Sequence, residues 1–306
     1  MTTNLDPAAQ LFLANVGRIQ QRLNQASEEV SSGKKINQAS DAPDQVEDLL
    51  QLRANQQHNQ QIQSNLKLAE TNTEAADGAL GSSIQLMDQA VQLGTEGANS
   101  AASGTDMTTL SQQVGTILSE MVSYSQTVVD GQYIFSGDQS QYPTYEIDAA
   151  APDGVAQVSD ALATQQMENP AGGSFPAALT AQQIFDERNA DGTTASGNVF
   201  AALSGLESAL ASGDTVSVEQ AINSVKTASA YLNQEQAFYG QAENRIQNAQ
   251  SFSTNYDTQL QTEISGIQDA DIASAATQLT ESQTQLQASF EMEAEMPHKS
   301  LFDYLG

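Results

Sequence analysis

FLANVGRIQQRLNQASEEVSSGKKINQASDAP, residues 12–43, decides how the rest of the chain must be read. Phe12, Val16, Ile19, Leu23, Ala26 and Val30 recur in steps of four and three, which is a heptad seam along one face of a helix. Ser31, Ser32 and Gly33 end that helix, glycine supplying the left-handed conformation that helix ends commonly need. Ser40 and Asp41 just before Pro43 start another, because a hydroxyl or carboxylate caps free amides and proline suits a first turn. A seam this narrow cannot bury itself. The best partner in the sequence is the other end of the chain.

There, Asp269, Ala270 and Asp271 open a last helix seamed by Ile272, Ala276, Leu279, Leu286 and Phe290, with Gln283 in the remaining heptad place. Pro297 breaks it, and the sequence closes with Leu301, Phe302, Tyr304 and Leu305. Both terminal seams include alanine, and burying a large apolar side chain is worth only about 1.5–3 kcal/mol. Ordering the backbone costs about 1–2 kcal/mol per residue. The pair is therefore expected to be marginal, both termini being disordered or frayed in the monomer and ordered only when neighbouring subunits surround them.

Between the ends, helical periodicity runs from residue 44 to 98 through Ile62, Leu66, Ala69, Ala76, Leu80, Met87, Val91 and Gly94, with Thr73 and Ser83 holding places in the register. NSAASGTD at 99–106 is a turn, and Leu110, Val114, Ile117, Met121, Tyr124 and Val128 seam a second helix that Asp130 and Gly131 end. QYIFSGD at 132–138 is a short β-like run. Periodicity then fails until 197, a stretch that reads as a small irregular insert. It holds one or two strands, residues 144–147 being a candidate, and a short helix near 181–187. Helices resume with Val199, Leu203, Leu206 and Leu210, turn at Gly213, and continue from Val218 to Ile264.

The fold class that follows is mainly α. A long antiparallel helical bundle or coiled coil is formed by the N- and C-terminal regions, with a small β-containing insert in the middle. Three domains are expected: 1–39 with 268–306, ordered on assembly; 40–137 with 198–267, a helical rod; and 138–197, an inserted outer domain.

The net charge of −28, from 38 acidic and 10 basic residues, repels phosphate backbones and anionic lipid. No nucleic-acid partner and no membrane insertion are expected. Absence of cysteine excludes disulfides and thiolate metal sites. No cleavable secretory signal is visible, so the protein is cytoplasmic or leaves by a route that removes none.

The search for chemistry finds little. His58 lies in a polar run, and Glu295 with His298 is one copy of a metal motif that needs two, interrupted by Pro297. ERNADG at 187–192 resembles the start of a calcium loop, but the twelfth position is Asn198 where the bidentate glutamate belongs. Asp41, Asp44, Glu47 and Asp48 sit where negative charge complements a helix dipole. No cofactor and no enzymatic activity are expected.

Several stretches resemble one family. SSGKKIN followed by SDAP, carrying Ser32, Gly33, Ile36, Asp41 and Pro43, is similar to the N-terminal signature of bacterial flagellins and flagellin-like hook-associated proteins. DGAL at 77–80 looks like its second-helix pattern. IQDADIA at 267–273, with Asp269 and Asp271, then Leu279 and LQAS at 286–289, resembles the C-terminal half. Within the family, GQYIFSG at 131–137, with Tyr133, Phe135 and Gly137, and the ending SLFDYL resemble the hook–filament junction branch more than filament flagellin. Residues 138–197 lack the tyrosine- and glycine-repeating strands expected of that branch.

The resemblance implies an extracellular flagellar protein, exported through a type III apparatus with its N-terminus uncleaved. Its implied partners are copies of itself in a ring, the preceding hook-associated protein, flagellin and an export chaperone. A filament flagellin, a cytoplasmic signalling coiled coil and an enzyme housed in the insert are the rival readings.

Overall fold

Heptads of small and apolar residues make long helices, and the helices dominate. A computed structural model of the chain describes residues 7–99, 104–151 and 153–295. Seven helices are described: α1 (Pro7–Ser32), α2 (Pro43–Asn99), α3 (Gly104–Ser125), α4 (Ala181–Phe185), α5 (Val199–Ser212), α6 (Thr215–Gln268) and α7 (Ile272–Glu295). The expected class, a helical bundle built from both halves of the chain with a small β-containing insert, is what the structure has. Chain contacts separate two compact units, one of residues 1–58 with 257–306 and the other of residues 59–256.

In the second unit, α2 and α6 run antiparallel. Asn59 and Ser253 exchange two buried hydrogen bonds, of 2.9 and 2.6 Å. Further along, Ile62, Leu66 and Ala69 pack with Ile246 and Ala249 in one apolar cluster. The heptad places held by Thr73 and Ser83 are buried, and each hydroxyl is satisfied by the carbonyl four residues earlier, Ala69 at 2.7 Å and Ala79 at 2.8 Å. Nearer the loop end, neighbouring side chains press close against two glycines. A Cβ on Gly94 would lie 2.8 Å from Ile222 Cγ1, and one on Gly97 would collide with Leu210. α5 fits between sharp ends: the Asn198 side chain accepts from the Ala201 amide, and Gly213 takes φ 71°.

α3 stops at Ser125, five residues short of the expected Asp130. Val128 and Val129 form strand β1, which pairs with β2 (Gln132–Tyr133). Asp130 and Gly131 between them take φ 50° and 77°. Two central residues with positive φ make the hairpin turn that matches strand twist, and Asp-Gly is its favoured sequence. Val128 fits the helical spacing by coincidence and is 49 % exposed.

The insert is more regular than expected. It has two hairpins, β3 (Tyr145–Ile147) with β4 (Val155–Gln157), and β5 (Gln166–Glu168) with β6 (Ser174–Pro176). The candidate strand at 144–147 and the short helix near 181–187 are both present, the helix as α4 with a Thr180–Gln183 capping box. Aromatic rings join this region to the helices. Phe135 meets Phe185 and Tyr239 edge-on at 5.9 and 6.3 Å, and Phe200 lies 5.1 Å from Tyr145 and 6.0 Å from Phe185.

Candidate assembly site

Local chemistry shapes the two short links on which the sequence reading turned. After α1, Gly33 takes φ 71° and donates its amide to the Glu29 carbonyl at 2.9 Å. The Ser32 hydroxyl donates to Glu28 and accepts from the Lys34 amide at 3.1 Å. The Asp41 carboxylate then accepts from the amides of Asn37 and Gln38 at 2.9 and 2.7 Å. Those two backbone bonds hold its pKa below the usual carboxylate value, the Gln38 amide contributing most. Pro43 is the first residue of α2, as its fixed φ suits. At the other end of the chain, Asp271 accepts from Ala273 and Ser274 at 3.0 and 3.2 Å, capping α7, and Asp269 accepts from the Ser265 hydroxyl.

These two links lie side by side. The Lys35 amide donates to the Gln268 carbonyl at 2.8 Å, and the Ala270 amide donates to the Gly33 carbonyl at 2.9 Å, flanking a β-bridge between Lys34 and Asp269. The Gln268 side chain is buried. Its oxygen accepts from Arg53 at 2.9 Å and its nitrogen donates to the Ile36 carbonyl at 3.4 Å. Ile36 is buried over the joint. Six signature positions from two distant stretches of the sequence, Ser32, Gly33, Ile36 and Asp41 in one and Asp269 and Asp271 in the other, thus serve one structure.

Beyond the joint, α1 packs on α7. Ile19 and Ala26 are buried on α1, with Phe12, Val16, Leu23 and Val30 half-buried along the same line. On α7, Ala275 and Ser282 are buried, with Leu279, Leu286 and Ser289 half-buried along the same line. Leu279 and Leu286 belong to the expected seam, whereas Ala276 and Gln283 are exposed and Ile272 is 46 % exposed. Phe290 is 53 % exposed yet meets Phe12 edge-on at 6.3 Å. Leu301, Phe302 and Leu305 lie outside the described residues. Small side chains at Ala26, Ala275 and Ser282 let the helices approach but bury little apolar area, so this pairing adds little free energy.

The remaining signature residues sit in the second unit. Phe135 is fully buried, Tyr133 is half-buried in β2, and Gly137 takes φ 51° where a Cβ would collide with the Ala163 carbonyl. Among the described residues, no group of three or more His, Asp or Glu could hold a metal ion. The 187–192 stretch is a turn, closed by Asn189 to Thr193 at 2.8 Å and by the Asp191 carboxylate on the Thr193 amide at 3.0 Å.

With this geometry in view, comparison with known proteins is decisive. The N-terminal helical region of bacterial flagellin matches residues 4–140, and its C-terminal helical region matches residues 219–305, together well over half of the chain. The chain belongs to the bacterial flagellin family. Several solved structures share the fold. A flagellar hook-associated protein from Vibrio parahaemolyticus is 16% identical with a TM-score of 0.63, covering 75% of this chain and 100% of its own. Flagellar hook-associated protein-3 from Legionella pneumophila is 12% identical with a TM-score of 0.61, covering 73% and 99%. FlgL from Bacillus cereus is 16% identical with a TM-score of 0.54, covering 72% and 100%. No curated protein sequence matches this flagellin-family chain.

One polar centre escaped the sequence reading. Asp186, buried between α4 and the 187–197 turn, accepts from Tyr145 at 2.9 Å, from Arg188 at 2.9 and 2.8 Å, and from Asn198 at 2.5 Å. Burial first, then the Asp186 charge, pushes the Tyr145 phenol far above its ordinary pKa. Asp186 and Arg188 are adjacent to a turn in sequence, but Tyr145 and Asn198 carry no signal that would gather them.

Proposed function

We propose that this chain is a structural component of the bacterial flagellum, an adaptor that joins the hook-associated ring to the flagellin filament. The observation that carries the reading is the joint: both family signatures meet in one hydrogen-bonded structure that leads into the pair of terminal helices, where Ile19, Ala26 and Ala275 are the fully buried apolar residues among those described. Such a pair has too little buried apolar surface to be a core and suits completion by neighbours. Solved structures that share the fold over nearly their whole length include hook-associated proteins, which favours the junction over the filament.

On this reading, residues 1–39 with 268–306 order on assembly. Residues 40–137 with 198–267 form the rod, and 138–197 face outward. The partners are copies of the chain in a ring, the preceding hook-associated protein, flagellin and an export chaperone. The protein leaves the cell by the flagellum's own export route. Its role is mechanical rather than catalytic.

Complementation of separate junction-protein and flagellin deletions tests this. The chain should restore filament attachment in the first strain and build nothing in the second. Long filaments made without another flagellin would overturn the junction assignment. Deleting residues 1–30 or 292–306 should leave the second unit helical by circular dichroism while abolishing incorporation. Because an N-terminal deletion can also block export, incorporation is measured with purified protein.

A further inference from the structure

Gln236, Glu243 and Gln250 lie on one line of α6, seven residues apart. Two contacts fix what that line meets on α2. The Gln250 side chain donates to the Glu70 carboxylate at 2.9 Å. A Cβ on Gly81 would lie 3.6 Å from the side-chain nitrogen of Gln236. In an antiparallel pair, seven residues back along α6 correspond to seven forward along α2. The first contact therefore sets Glu243 opposite Asp77, and the second sets it opposite Glu74. Where the line has glutamine it can donate to α2. Where it has Glu243, a carboxylate meets two others.

No cation offsets this charge. Asp77 and Glu243 are half-buried, and neither has a hydrogen bond or ion pair among the described residues. No lysine or arginine occurs between Lys67 and Arg188, so α2 brings Glu70, Glu74 and Asp77 to this stretch, with Lys67 exposed one turn before Glu70. On α6 itself, Arg245 is exposed and points about 200° round the helix from Glu243. Tyr239, one turn the other way, is buried and accepts from the Leu179 amide at 3.1 Å. The β5–β6 hairpin, whose Met167 and Phe175 pack with Ile246 and Ala249, carries Glu168, another acid. Burial first, then Asp77, Glu74 and Glu70, hold the Glu243 carboxyl above its ordinary pKa. Once protonated, a glutamate has a donor where glutamine has one.

We propose that Asp77 and Glu243 form a proton-binding pair across the α2–α6 seam: as pH falls, Glu243 takes up a proton from solvent and donates it in a hydrogen bond to the Asp77 carboxylate. Acid thus adds a second cross-link of the kind that Gln250 makes to Glu70 at every pH. Because the folded state holds this proton more tightly than the unfolded chain, the stability it contributes is fully present below the unfolded carboxyl value of 4.5 and is lost as pH rises through the higher folded value. The 59–256 unit is tightened by acid.

Urea unfolding of the purified full-length chain, followed by circular dichroism from pH 7 to pH 5, tests the inference. Glu243→Gln carries the donor at every pH. It should raise the midpoint at pH 7 by about 0.2–0.5 M and flatten the rise that the wild type shows on acidification. Asp77→Asn should do the same, since its amide donates to the Glu243 carboxylate, and the two changes together should gain no more than either alone. Glu120→Gln, at an exposed position on α3, removes the same charge and should leave both the midpoint and its pH dependence close to wild type. A Glu243→Gln midpoint at or below the wild type at pH 7, a pH dependence unchanged by that substitution, or an equal shift from Glu120→Gln would each overturn the proposal. None of these outcomes bears on the junction assignment, which complementation decides.

Discussion

Replacing Asp186 by alanine should destabilise the second unit by about 3 kcal/mol. The carboxylate is 1 % exposed and accepts four hydrogen bonds, two from Arg188, one from Tyr145 and one from Asn198. The Arg188 side chain is 39 % exposed, so its freed guanidinium rehydrates and contributes little to the loss. The cost falls on the Tyr145 hydroxyl and the Asn198 amide, which stay buried and lose an acceptor at about 1–3 kcal/mol each. The Asn198 amide keeps a longer bond to the Glu187 carbonyl, so its share falls at the low end of that range and the total at about 3 kcal/mol. For a unit of this size, 3 kcal/mol corresponds to a fall in melting temperature of about 6–12 °C. Calorimetry measures it directly. A double-mutant cycle sharpens the test: Tyr145→Phe should destabilise the wild type by about 1 kcal/mol but be neutral or stabilising in the Asp186→Ala background, where it removes an orphaned donor. A melting temperature within about 2 °C of wild type, or strictly additive effects, would refute this account of the centre.

Three further outcomes are expected. Burial raises the pKa of the phenols of Tyr145, Tyr239 and Tyr231, so the folded state holds protons that the unfolded chain releases above about pH 10, and stability should fall as pH rises past that value. Urea midpoints measured from pH 7 to 11 should show the decline, and Tyr239→Phe should flatten it; an unchanged slope in that variant would count against the assignment. Gly137→Ala forces a Cβ towards the Ala163 carbonyl at φ 51° and should cost about 1–3 kcal/mol in denaturant unfolding, whereas a neutral result would mean that the turn relaxes. Asp271→Ala removes the cap of α7 and should cost about 1 kcal/mol locally, read as faster amide exchange in α7 with the 59–256 unit unchanged. Equal exchange in α7 would show that its first turn needs no cap.

Much of the fold was legible because heptad spacing and punctuation act locally. Gly33, Pro43 and Gly213 stand at the helix boundaries where their backbone chemistry places them, and Thr73 and Ser83 hold the buried places their spacing requires. The misreadings have physical causes. Val128 satisfied the helical period, but the Asp130-Gly131 turn with β-branched neighbours favours a hairpin more strongly. On α7, the eye follows Ile272 and Phe290, whereas Ala275 and Ser282 are the residues small enough to sit beneath α1. The joint was legible only in part. Its two links were visible as stop and start signals, but the backbone pairing of Gly33 and Lys35 with Gln268 and Ala270 involves no side-chain identity that a sequence displays. The Asp186 centre draws on residues 145, 186, 188 and 198, and only the fold brings the first and last to it.

The central claim is that the joint and its terminal helices build this chain into the flagellum at the boundary between hook and filament. Immunogold labelling of isolated, intact flagella tests it most directly. The account predicts label confined to a narrow band at the hook–filament boundary. Label distributed along the filament, or absent from flagella altogether, would contradict it.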